Sequence, residues 1–583
     1  MKRSVRMAAT GVVTSLMSLP VYAATYYVAP TGSDTAAGTE AAPFATMARG
    51  QQAASAGDTV YFRGGTYRFV SSSAAEGIIL TKSGSANNHI KYWAYPGEVP
   101  VFDFAGMTAM VRQTGLRVNG SYLHFKGIEI KNVPQNITTQ NESWGIRAFG
   151  SNNIYEQLNI HHIQGAGFFL AEGGNNLILN SDSHHNYDPR SSAGDGENAD
   201  GFGCHVKAGD TGNVFRGVRA WYNTDDGYDS INCLEPCTLE GSWAWLNGYV
   251  PDTMTAKGNG NGFKIGGFGA DGVGSPPTPP RHMTRNNVAF LNRAAGFYAN
   301  HHTGKSFFYN NTAFNNRSAN FNLFGLLGNN IATARNNLAF MGTAVSNPSN
   351  DMEFNSWNLP VQVTAADFQS IDSMGVDGPR QADGSLPNIP FMKLVQTSDV
   401  IDKGTNVMIP HVGAAPDLGA YEYGAVTVPV GGAGGSAGAS NGGTAAGGMA
   451  GSGTAGQATG GSSAGAAGSG GSSSGSGGVA AGGVGPGGAP AVGGSAPMGG
   501  SAPAGGSTPM GGSAPTGGVP AAGGFSAAGG SAAGSPGSPS SEEAGCSCRS
   551  VGGPPGQTPI AAWLGSIGLA ALLLRKRRGA RRS

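Results

Sequence analysis

Five short phrases in the middle of the chain share one register and place charged side chains at matching positions. Each phrase combines a small or polar residue, an aromatic residue and one further residue: Ala199-Asp200-Gly201-Phe202-Gly203, Asp226-Gly227-Tyr228-Asp229, Asn261-Gly262-Phe263-Lys264, Ala295-Gly296-Phe297-Tyr298 and Asn320-Phe321-Asn322. When the aromatic residues are aligned, Asp200 falls at the position of Asp226, and Asp229 at the position of Lys264. With Asp225 included, four carboxylates and one amine would meet, which is the layout of a cation site beside a base.

The carboxylates form a candidate calcium site. Carboxylates that are packed together repel one another unless a cation compensates their charge. Calcium takes about six to eight oxygen ligands and favours carboxylates and carbonyls, whereas magnesium needs a tight octahedron and keeps several of its waters. The predicted ligands are Asp200, Asp225, Asp226 and Asp229. An Asp-Gly pair by itself would indicate only a turn.

Lys264 is the candidate base. A lysine on a strand is usually a solvated surface residue, but Lys264 lies in the column of Asp229. A nearby cation favours the neutral amine, whereas Asp229 favours the charged form. A cation that binds a substrate carboxylate, together with a base that removes the adjacent carbon-bound proton, would carry out β-elimination.

A second repeated motif supplies the period of the fold that must position these groups. Its copies are Ala220-Trp221-Tyr222-Asn223, Ala244-Trp245-Leu246-Asn247, Ala289-Phe290-Leu291-Asn292, Ala313-Phe314-Asn315-Asn316 and Ala339-Phe340. Neighbouring copies are 24 or 26 residues apart, except for one gap that we interpret as one period plus an insertion around residues 249–282. A period in the low twenties with short apolar alternations predicts an all-β fold, a parallel β-helix with two or three strands per turn. Aromatic residues and alanines should stack inside the coil, and asparagines at the turns should form ladders of side-chain amides.

Composition limits the folded part of the chain to one large domain at residues 24–424. The chain has 583 residues, 99 of them glycine, and its formal net charge is zero, which argues against nucleic acid as a partner. Residues 425–541 are almost entirely Gly, Ser, Ala and Pro, and such a segment cannot bury enough apolar surface to offset its ordering entropy. We predict a disordered linker there, and we expect the protein to be a monomer.

Both ends of the chain carry export signals. Residues 1–23 have a basic start, an apolar run and a small residue at Ala23, which predicts a cleaved signal peptide and a secreted protein. Residues 542–583 contain a Cys-Ser-Cys motif, an apolar stretch at 560–574 and a final arginine cluster. This apolar stretch is short for a full membrane span, but it suits a membrane stop or a sorting signal.

Three cysteines lie in the folded domain. Cys233 and Cys237 could form a disulfide, or Cys204 could pair with either of them, and the odd number leaves one free thiol. A zinc site is weakly indicated, because no ligand set with familiar spacing surrounds these cysteines.

The charged phrases together resemble the signature of family 9 polysaccharide lyases, which are pectate lyases. The phrases that carry the resemblance are Asn198-Ala199-Asp200-Gly201-Phe202, Asp225-Asp226-Gly227-Tyr228-Asp229 and Gly260-Asn261-Gly262-Phe263-Lys264. The resemblance covers about residues 25–424. It implies a right-handed parallel β-helix, calcium held by the four aspartates, Lys264 as the Brønsted base, and polygalacturonate as the substrate.

The last forty or so residues resemble the myxobacterial C-terminal sorting tail, which implies an interaction with the membrane or with sorting machinery. The protein would then be displayed on the cell surface or released after processing.

Three other functions remain open at this stage. A β-helix hydrolase would use paired carboxylates to activate water but would leave Lys264 without a role. A lyase for another uronate polymer would use the same chemistry, and a non-catalytic carbohydrate-binding protein would need the calcium but not the lysine.

A protein that binds a polyanionic substrate also needs cationic side chains in its binding cleft. The candidates near the relevant turns are Lys207, Arg216, Arg219, Lys257, Arg293 and Lys305, with His301 and His302 close by.

Overall fold

In this computed structural model, short parallel strands wind around one interior, which confirms the predicted parallel β-helix. The structure describes residues 23–139, 143–269, 272–324 and 331–425. The predicted signal peptide and linker lie outside these ranges apart from Ala23 and Ala425, and the whole C-terminal segment lies outside them. Within the described ranges, no helix has the length and apolar character needed to cross a membrane.

The described residues form one α-helix, α1 (Met47–Ala53), a short 3₁₀ helix (Ala365–Asp367) and 32 strands. The first sixteen strands in chain order are β1 (Thr25–Val28), β2 (Thr59–Phe62), β3 (Gly65–Ser71), β4 (Glu76–Leu80), β5 (Ile90–Ala94), β6 (Pro100–Met107), β7 (Thr114–Val118), β8 (Leu123–Lys126), β9 (Glu129–Lys131), β10 (Ser143–Ala148), β11 (Ile154–Glu156), β12 (Asn159–His161), β13 (Gly165–Leu170), β14 (Leu177–Leu179), β15 (Asp182–His184) and β16 (Phe202–Cys204). The remaining strands are β17 (Asn213–Arg216), β18 (Arg219–Trp221), β19 (Tyr228–Asp229), β20 (Cys237–Glu240), β21 (Trp243–Trp245), β22 (Phe263–Lys264), β23 (Met283–Arg285), β24 (Val288–Phe290), β25 (Ala295–Tyr298), β26 (Phe307–Tyr309), β27 (Thr312–Phe314), β28 (Ala319–Asn322), β29 (Thr333–Arg335), β30 (Leu338–Phe340), β31 (Val345–Ser346) and β32 (Asp351–Glu353).

From β2 onward, every third strand belongs to the same sheet, so that each turn of the coil contributes one strand to each of three sheets. The first sheet has 12 strands and runs β1-β2-β5-β8-β11-β14-β17-β20-β23-β26-β29-β32. The second sheet has 10 strands, β4-β7-β10-β13-β16-β19-β22-β25-β28-β31, and the third has 10 strands, β3-β6-β9-β12-β15-β18-β21-β24-β27-β30.

The aromatic column of the second sheet stacks inside the coil. Phe202 pairs with Tyr228, Tyr228 with Phe263, and the column continues to Phe297 and Phe321. Centroids of neighbouring rings are 4.5–5.4 Å apart, and all five rings are buried. The column therefore fixes the register between turns, as the sequence predicts.

Asparagines connect the turns through ladders of buried side-chain amides. The oxygen of Asn247 accepts hydrogen bonds from the main chain and side chain of Asn223, and the oxygen of Asn292 accepts the equivalent bonds from Asn247. A glycine precedes four of the five core aromatics and makes room for a ladder, since a Cβ at Gly227 would lie 2.8 Å from Nδ2 of Asn247. The predicted ladders are therefore present, and they explain the repeated Gly-aromatic pair.

The second motif divides its side chains between the two faces of the third sheet. Ala220 and Ala244 point into the coil, because successive residues of a strand face opposite sides. Trp221 and Trp245, by contrast, lie outside the coil in a separate apolar cluster with Phe391. The expectation that these aromatics stack inside the coil was therefore wrong, although their rings do stack with one another 4.7 Å apart.

A C-terminal covering segment, residues 359–421, lies over this outer aromatic face and buries it. Its apolar residues that pack there include Phe368, Val376, Phe391, Leu394, Val400 and Leu418. Arg380 in this segment forms an ion pair with Asp182 at 2.6 Å, and Asp182 also pairs with Arg219 at 2.7 Å. The folded domain therefore needs the covering segment as well as the coil.

The turn that carries Lys264 is longer than the others. Ala244 pairs directly with Ala289, so the chain between them makes a single turn. Its extra residues form loops on both sides of β22, which lies inside the predicted insertion at 249–282 and supplies Lys264 to the second sheet.

Candidate active site

Three aspartates meet on the outer side of the second sheet. Asp200 precedes β16, Asp226 precedes β19, and Asp229 ends β19. One carboxylate oxygen from each lies within 4.8 Å of those of the other two, and all three side chains are buried. Parallel pairing of β16 with β19 produces this arrangement, because it places Phe202 beside Tyr228 and Gly203 beside Asp229.

Backbone N–H groups orient the three carboxylates. Oδ1 of Asp200 accepts the N–H of Asp226 at 3.1 Å, and Oδ1 of Asp226 accepts the N–H of Asn261 at 2.7 Å. The amide Nδ2 of Asn261 also donates to Asp226 at 2.8 Å, and Oδ1 of Asp229 accepts the N–H of Ile231 at 2.7 Å. A hydrogen bond from a backbone N–H group thus holds Oδ1 of each carboxylate and thereby sets the direction in which Oδ2 points.

Asp225, the fourth predicted ligand, has different surroundings. It is fully buried, but it is not part of the group of three. Its Oδ2 accepts the N–H of Asn198 at 2.8 Å, and its Oδ1 accepts the N–H of Asn259 at 2.9 Å. Asp225 therefore ties the loop before β16 to the loop before β22, and it adds negative charge beside the three clustered carboxylates.

The carboxylates strongly disfavour one another's ionised forms. Burial is the main cause that raises the pKa of Asp200 well above its usual value, and the charges of Asp225, Asp229 and Asp226 raise it further. Burial likewise raises the pKa of Asp226 to about 8, although Lys264 opposes the shift. A buried carboxylate cluster of this kind is the environment that a divalent cation would stabilise, and oxygen donors suit calcium.

Lys264 lies against the same cluster. Its Nζ is 3.0 Å from Oδ2 of Asp226 and 3.3 Å from Oδ2 of Asp229, and its side chain is only 5% exposed. The pairing of Asp229 with Lys264 across β19 and β22 places the amine there. The structure therefore brings the predicted base and three of the predicted ligands together.

A cleft of about 650 Å³ opens beside the aspartates along the second sheet. Asp200, Asp225 and Asp229 line one part of it. Its other walls contain Arg112, Trp144, Arg147, Phe169, His205 and Lys207. The cleft thus joins the candidate metal ligands to a surface of aromatic and basic side chains.

Among the cations proposed from the sequence, only Lys207 lines this cleft. It forms an ion pair with Glu172 at the rim. The others have partners elsewhere: Arg216 with Glu240, Arg219 with Asp182, Lys257 with Asp195, Lys305 with Asp351, and Arg293 with the carbonyl of Gly258. His302 is buried against the carbonyl of Pro280, and His301 lies near Tyr298.

Arg112 and Arg147 were missed in the sequence, where the repeat is harder to follow before residue 150. A recognisable signal exists for Arg147. The triplets Gly145-Ile146-Arg147 and Gly167-Phe168-Phe169 continue the pattern of Gly227-Tyr228-Asp229, and strand pairing places their third residues in the same outer column. Arg112 lies in a loop before β7, outside any repeat, so no sequence pattern indicates it.

The cysteines lie in the core just behind the site. Cys204 forms a disulfide with Cys237, and Cys233 remains a buried free thiol. The Cys233 sulfur is 3.8 Å from that of Cys204 and 3.7 Å from that of Cys237. This pairing is one of those that the sequence left open.

Comparisons with known proteins agree on the architecture. A family model described as "Pel9A-like, right handed beta helix region" matches residues 26–337. Pectate lyase L of Dickeya chrysanthemi is 35% identical over 409 residues, which cover 68% of this chain and 90% of that protein. Pectate lyase PEL9 of Emericella nidulans is 33% identical over 404 residues, which cover 64% of this chain and 92% of that protein.

Two solved structures are also similar. The structure titled "Crystal structure of pectate lyase Pel9A" is 30% identical, with a TM-score of 0.59 and coverage of 69% of this chain and 97% of the other. A structure titled "Rhamnogalacturonan lyase" is 35% identical, with a TM-score of 0.57 and coverage of 64% of this chain and 96% of the other.

Proposed function

Because the chain belongs to the Pel9A-like family of right-handed β-helices, we propose that it is a calcium-dependent pectate lyase. Its relatives establish the broader class, a polysaccharide lyase. The finer assignment rests mainly on one observation, the contact of Lys264 with a buried cluster of aspartates. A hydrolase or a carbohydrate-binding protein would give that buried amine no task.

In the proposed reaction, Lys264 acts as the base on a galacturonate unit. Its neutral amine takes the proton from C5, the carbon next to the carboxylate. The C–H electron pair forms the C4–C5 double bond as the C4–O bond breaks, and the departing sugar oxygen takes up a proton from solvent. The products are a 4,5-unsaturated uronide and a shortened chain.

The aspartates serve the reaction through charge. Asp200, Asp226 and Asp229, with Asp225 beside them, would hold a calcium ion, which would supply a binding site for the substrate carboxylate and positive charge to stabilise the negative charge that develops there. The positive charge of the ion would also favour the neutral form of the Lys264 amine. Backbone N–H groups hold these carboxylates in place before any ligand binds. Such preorganisation reduces the cost of reaching the transition state.

The test is ultraviolet absorbance during incubation with polygalacturonate, in the presence of calcium or of a chelator. We expect absorbance to rise only with calcium, and Lys264→Ala to lower kcat by about 100- to 10,000-fold, the usual share of a general base. Lys264→Arg is the sharper variant. It keeps a cation beside Asp226 and Asp229, but arginine does not lose its proton in proteins and cannot serve as the base.

Controls distinguish the alternatives. Lys257→Ala removes a lysine that pairs with Asp195 outside the cleft, and it should leave kcat unchanged. New reducing ends without absorbance would indicate a hydrolase, and no product from any uronate polymer would indicate a binding protein. Rhamnogalacturonan must be assayed in parallel, because one similar structure bears that activity in its title. Faster elimination from rhamnogalacturonan than from polygalacturonate would replace the proposed substrate.

A protein with this activity would act outside the cell, as the predicted signal peptide and C-terminal segment suggest. We propose that it is secreted, and that it is displayed on the cell surface or released after C-terminal processing.

A further inference from the structure

The two ends of the cleft carry opposite charge. The aspartates lie at one end, and Arg112 and Arg147 line the other. Lys207 also lines the cleft, but its side chain is 68% exposed and forms an ion pair with Glu172. Among the described residues that line the cleft, the other Lys and Arg side chains are those of Arg112 and Arg147.

Trp144 holds both arginines in place. The guanidinium carbon of Arg112 lies 3.9 Å from the centroid of the Trp144 ring, and that of Arg147 lies 4.0 Å from it. Trp144 itself is only 4% exposed. Stacking on an aromatic ring fixes the plane of a guanidinium and leaves its edge N–H groups able to donate to a carboxylate.

A flat surface lies between the arginines and the aspartates. The imidazole of His205 stacks on Phe169 with a centroid distance of 4.3 Å and an angle of 11°. Gly203 makes this possible, because a Cβ there would lie 2.6 Å from Nε2 of His205. Nδ1 of His205 is 2.8 Å from the carbonyl of Ile231, which fixes the orientation of the ring.

The strand register sets the distance between the two charged ends. Arg147 pairs with Phe169, Phe169 with Gly203, and Gly203 with Asp229. These three strand spacings correspond to about 14 Å along the coil. A pyranose unit in a 1,4-linked chain is about as long as one strand spacing, so a sugar chain along the sheet would reach from Asp229 to Arg147 in about three units.

We propose that Arg112 and Arg147 form a carboxylate-binding subsite for an unesterified uronate unit about three sugars from the unit held at the aspartates. Phe169 and His205 support the intervening sugars. The subsite rests on the proposed function, because it takes the substrate to be a uronate polymer. It would bind a free carboxylate in preference to its methyl ester, which carries no charge.

The experiment compares Arg147→Gln and Arg112→Gln with the parent protein on polygalacturonate and on methyl-esterified pectin. A hydrogen-bonded ion pair between arginine and a carboxylate contributes to the free energy of substrate binding. Each substitution should therefore raise KM on polygalacturonate about tenfold or more and change kcat little. The preference for unesterified over esterified substrate should shrink in both variants. Arg147→Lys, which keeps the charge without the fork of donors, should have an intermediate KM.

Arg281→Gln is the matched control, because Arg281 also stacks on an aromatic ring, Phe307, but does not line the cleft. Its KM should equal that of the parent. An unchanged KM in both cleft variants, with an unchanged preference between substrates, would overturn the subsite.

A binding measurement separates this proposal from the proposed function. Titration calorimetry of hexagalacturonate is carried out with calcium in the Lys264→Arg background, where no turnover is expected. If the parent makes no unsaturated product but Arg147→Gln still weakens this binding about tenfold, the lyase assignment fails and the subsite stands. If hexagalacturonate does not bind, or binds equally with and without Arg147, the subsite is wrong.

Discussion

The ionised form of the Asp200 carboxyl is unfavourable in the metal-free protein, and a bound cation would stabilise it. Burial and three neighbouring carboxylates raise its pKa well above the usual value. The only described hydrogen bond of this side chain is the one that Oδ1 accepts from the N–H of Asp226, and an asparagine oxygen could accept that bond equally well. Substitution at this residue should therefore separate metal binding from folding.

We predict that Asp200→Asn does not lower the free energy of unfolding in a chelator and removes most of the stabilisation by calcium. A ligand at about 100 times its Kd stabilises the folded state by about 2.7 kcal/mol, and the variant should lose this gain as its calcium affinity falls. Thermal unfolding with and without calcium measures both effects. A stability loss in the chelator as large as that in calcium would mean that Asp200 is structural.

Lys264 and Asp225 show that equal burial can accompany different roles. The Lys264 amine faces Asp226 and Asp229 beside the cleft, whereas both oxygens of Asp225 accept backbone N–H groups from separate loops. Asp225 would contribute charge to a bound cation while also holding the loops around the site.

At the level of strands and turns, the disulfide closes a loop that carries three of the four candidate metal ligands. The chain between Cys204 and Cys237 contains Asp225, Asp226 and Asp229. The bond joins β16 of the second sheet to β20 of the first. Any loosening of these turns would also move the carboxylates that they carry.

We predict that Cys237→Ser lowers the free energy of unfolding by about 3–4 kcal/mol, because the sequence separation of 33 sets the size of the closed loop. Calcium affinity should fall as well. Denaturant titration and calorimetry measure the two effects, and peptide mapping without reductant identifies the bonded pair. Cys233→Ala is the control. A larger loss of stability in Cys233→Ala than in Cys237→Ser would show that Cys233 takes part in the bond.

Histidines that stack between turns should make stability depend on pH. Burial is the main cause that lowers the pKa of His184 from 6.5 to about 2, and the charges of His185 and His161 lower it further. The His184 ring also stacks on Trp221 at 4.1 Å. His184 is therefore neutral in the folded protein at a pH where it is charged in the unfolded chain.

The sign of this effect follows from proton binding. Below pH 6.5 the unfolded chain binds a proton at His184 that the folded protein does not, so stability falls as pH falls. At about pH 5 the loss from this residue should be about 2 kcal/mol. Denaturant unfolding at several pH values should show a shallower decline for His184→Gln than for the parent. Parallel declines would contradict the assignment.

At the level of the whole molecule, the coil depends on the covering segment at 359–421. Burial would raise the pKa of Asp182, but Arg380 and Arg219 outweigh it and lower the pKa to about 2. Removing one partner of a buried ion pair leaves an uncompensated charge, which is strongly destabilising.

We predict that Arg380→Ala lowers the free energy of unfolding by about 3–5 kcal/mol and makes the covering segment more susceptible to proteases. Lys403→Ala, an exposed residue of the same segment, should change the free energy of unfolding by no more than about 0.5 kcal/mol. Denaturant unfolding and limited proteolysis provide the measurements. Equal effects of the two substitutions would mean that the buried ion pair does not hold the segment.

The sequence by itself determined the coil and the register within it. Side chains alternate with a period of two along each strand, and neighbouring turns pair in parallel, so the fixed offsets around Phe202, Tyr228 and Phe263 were enough to align Asp200 with Asp226 and Asp229 with Lys264. These relations depend only on local spacing, which a sequence displays directly.

The tertiary structure alone decided the features that depend on loops and on contacts between distant residues. It placed Arg112 against Trp144 and joined Cys204 to Cys237. It also buried the Trp221 and Trp245 face under a segment more than a hundred residues further along the chain. None of these contacts follows from a period, because the path of an irregular segment is set by what it can bury and which polar groups it can satisfy.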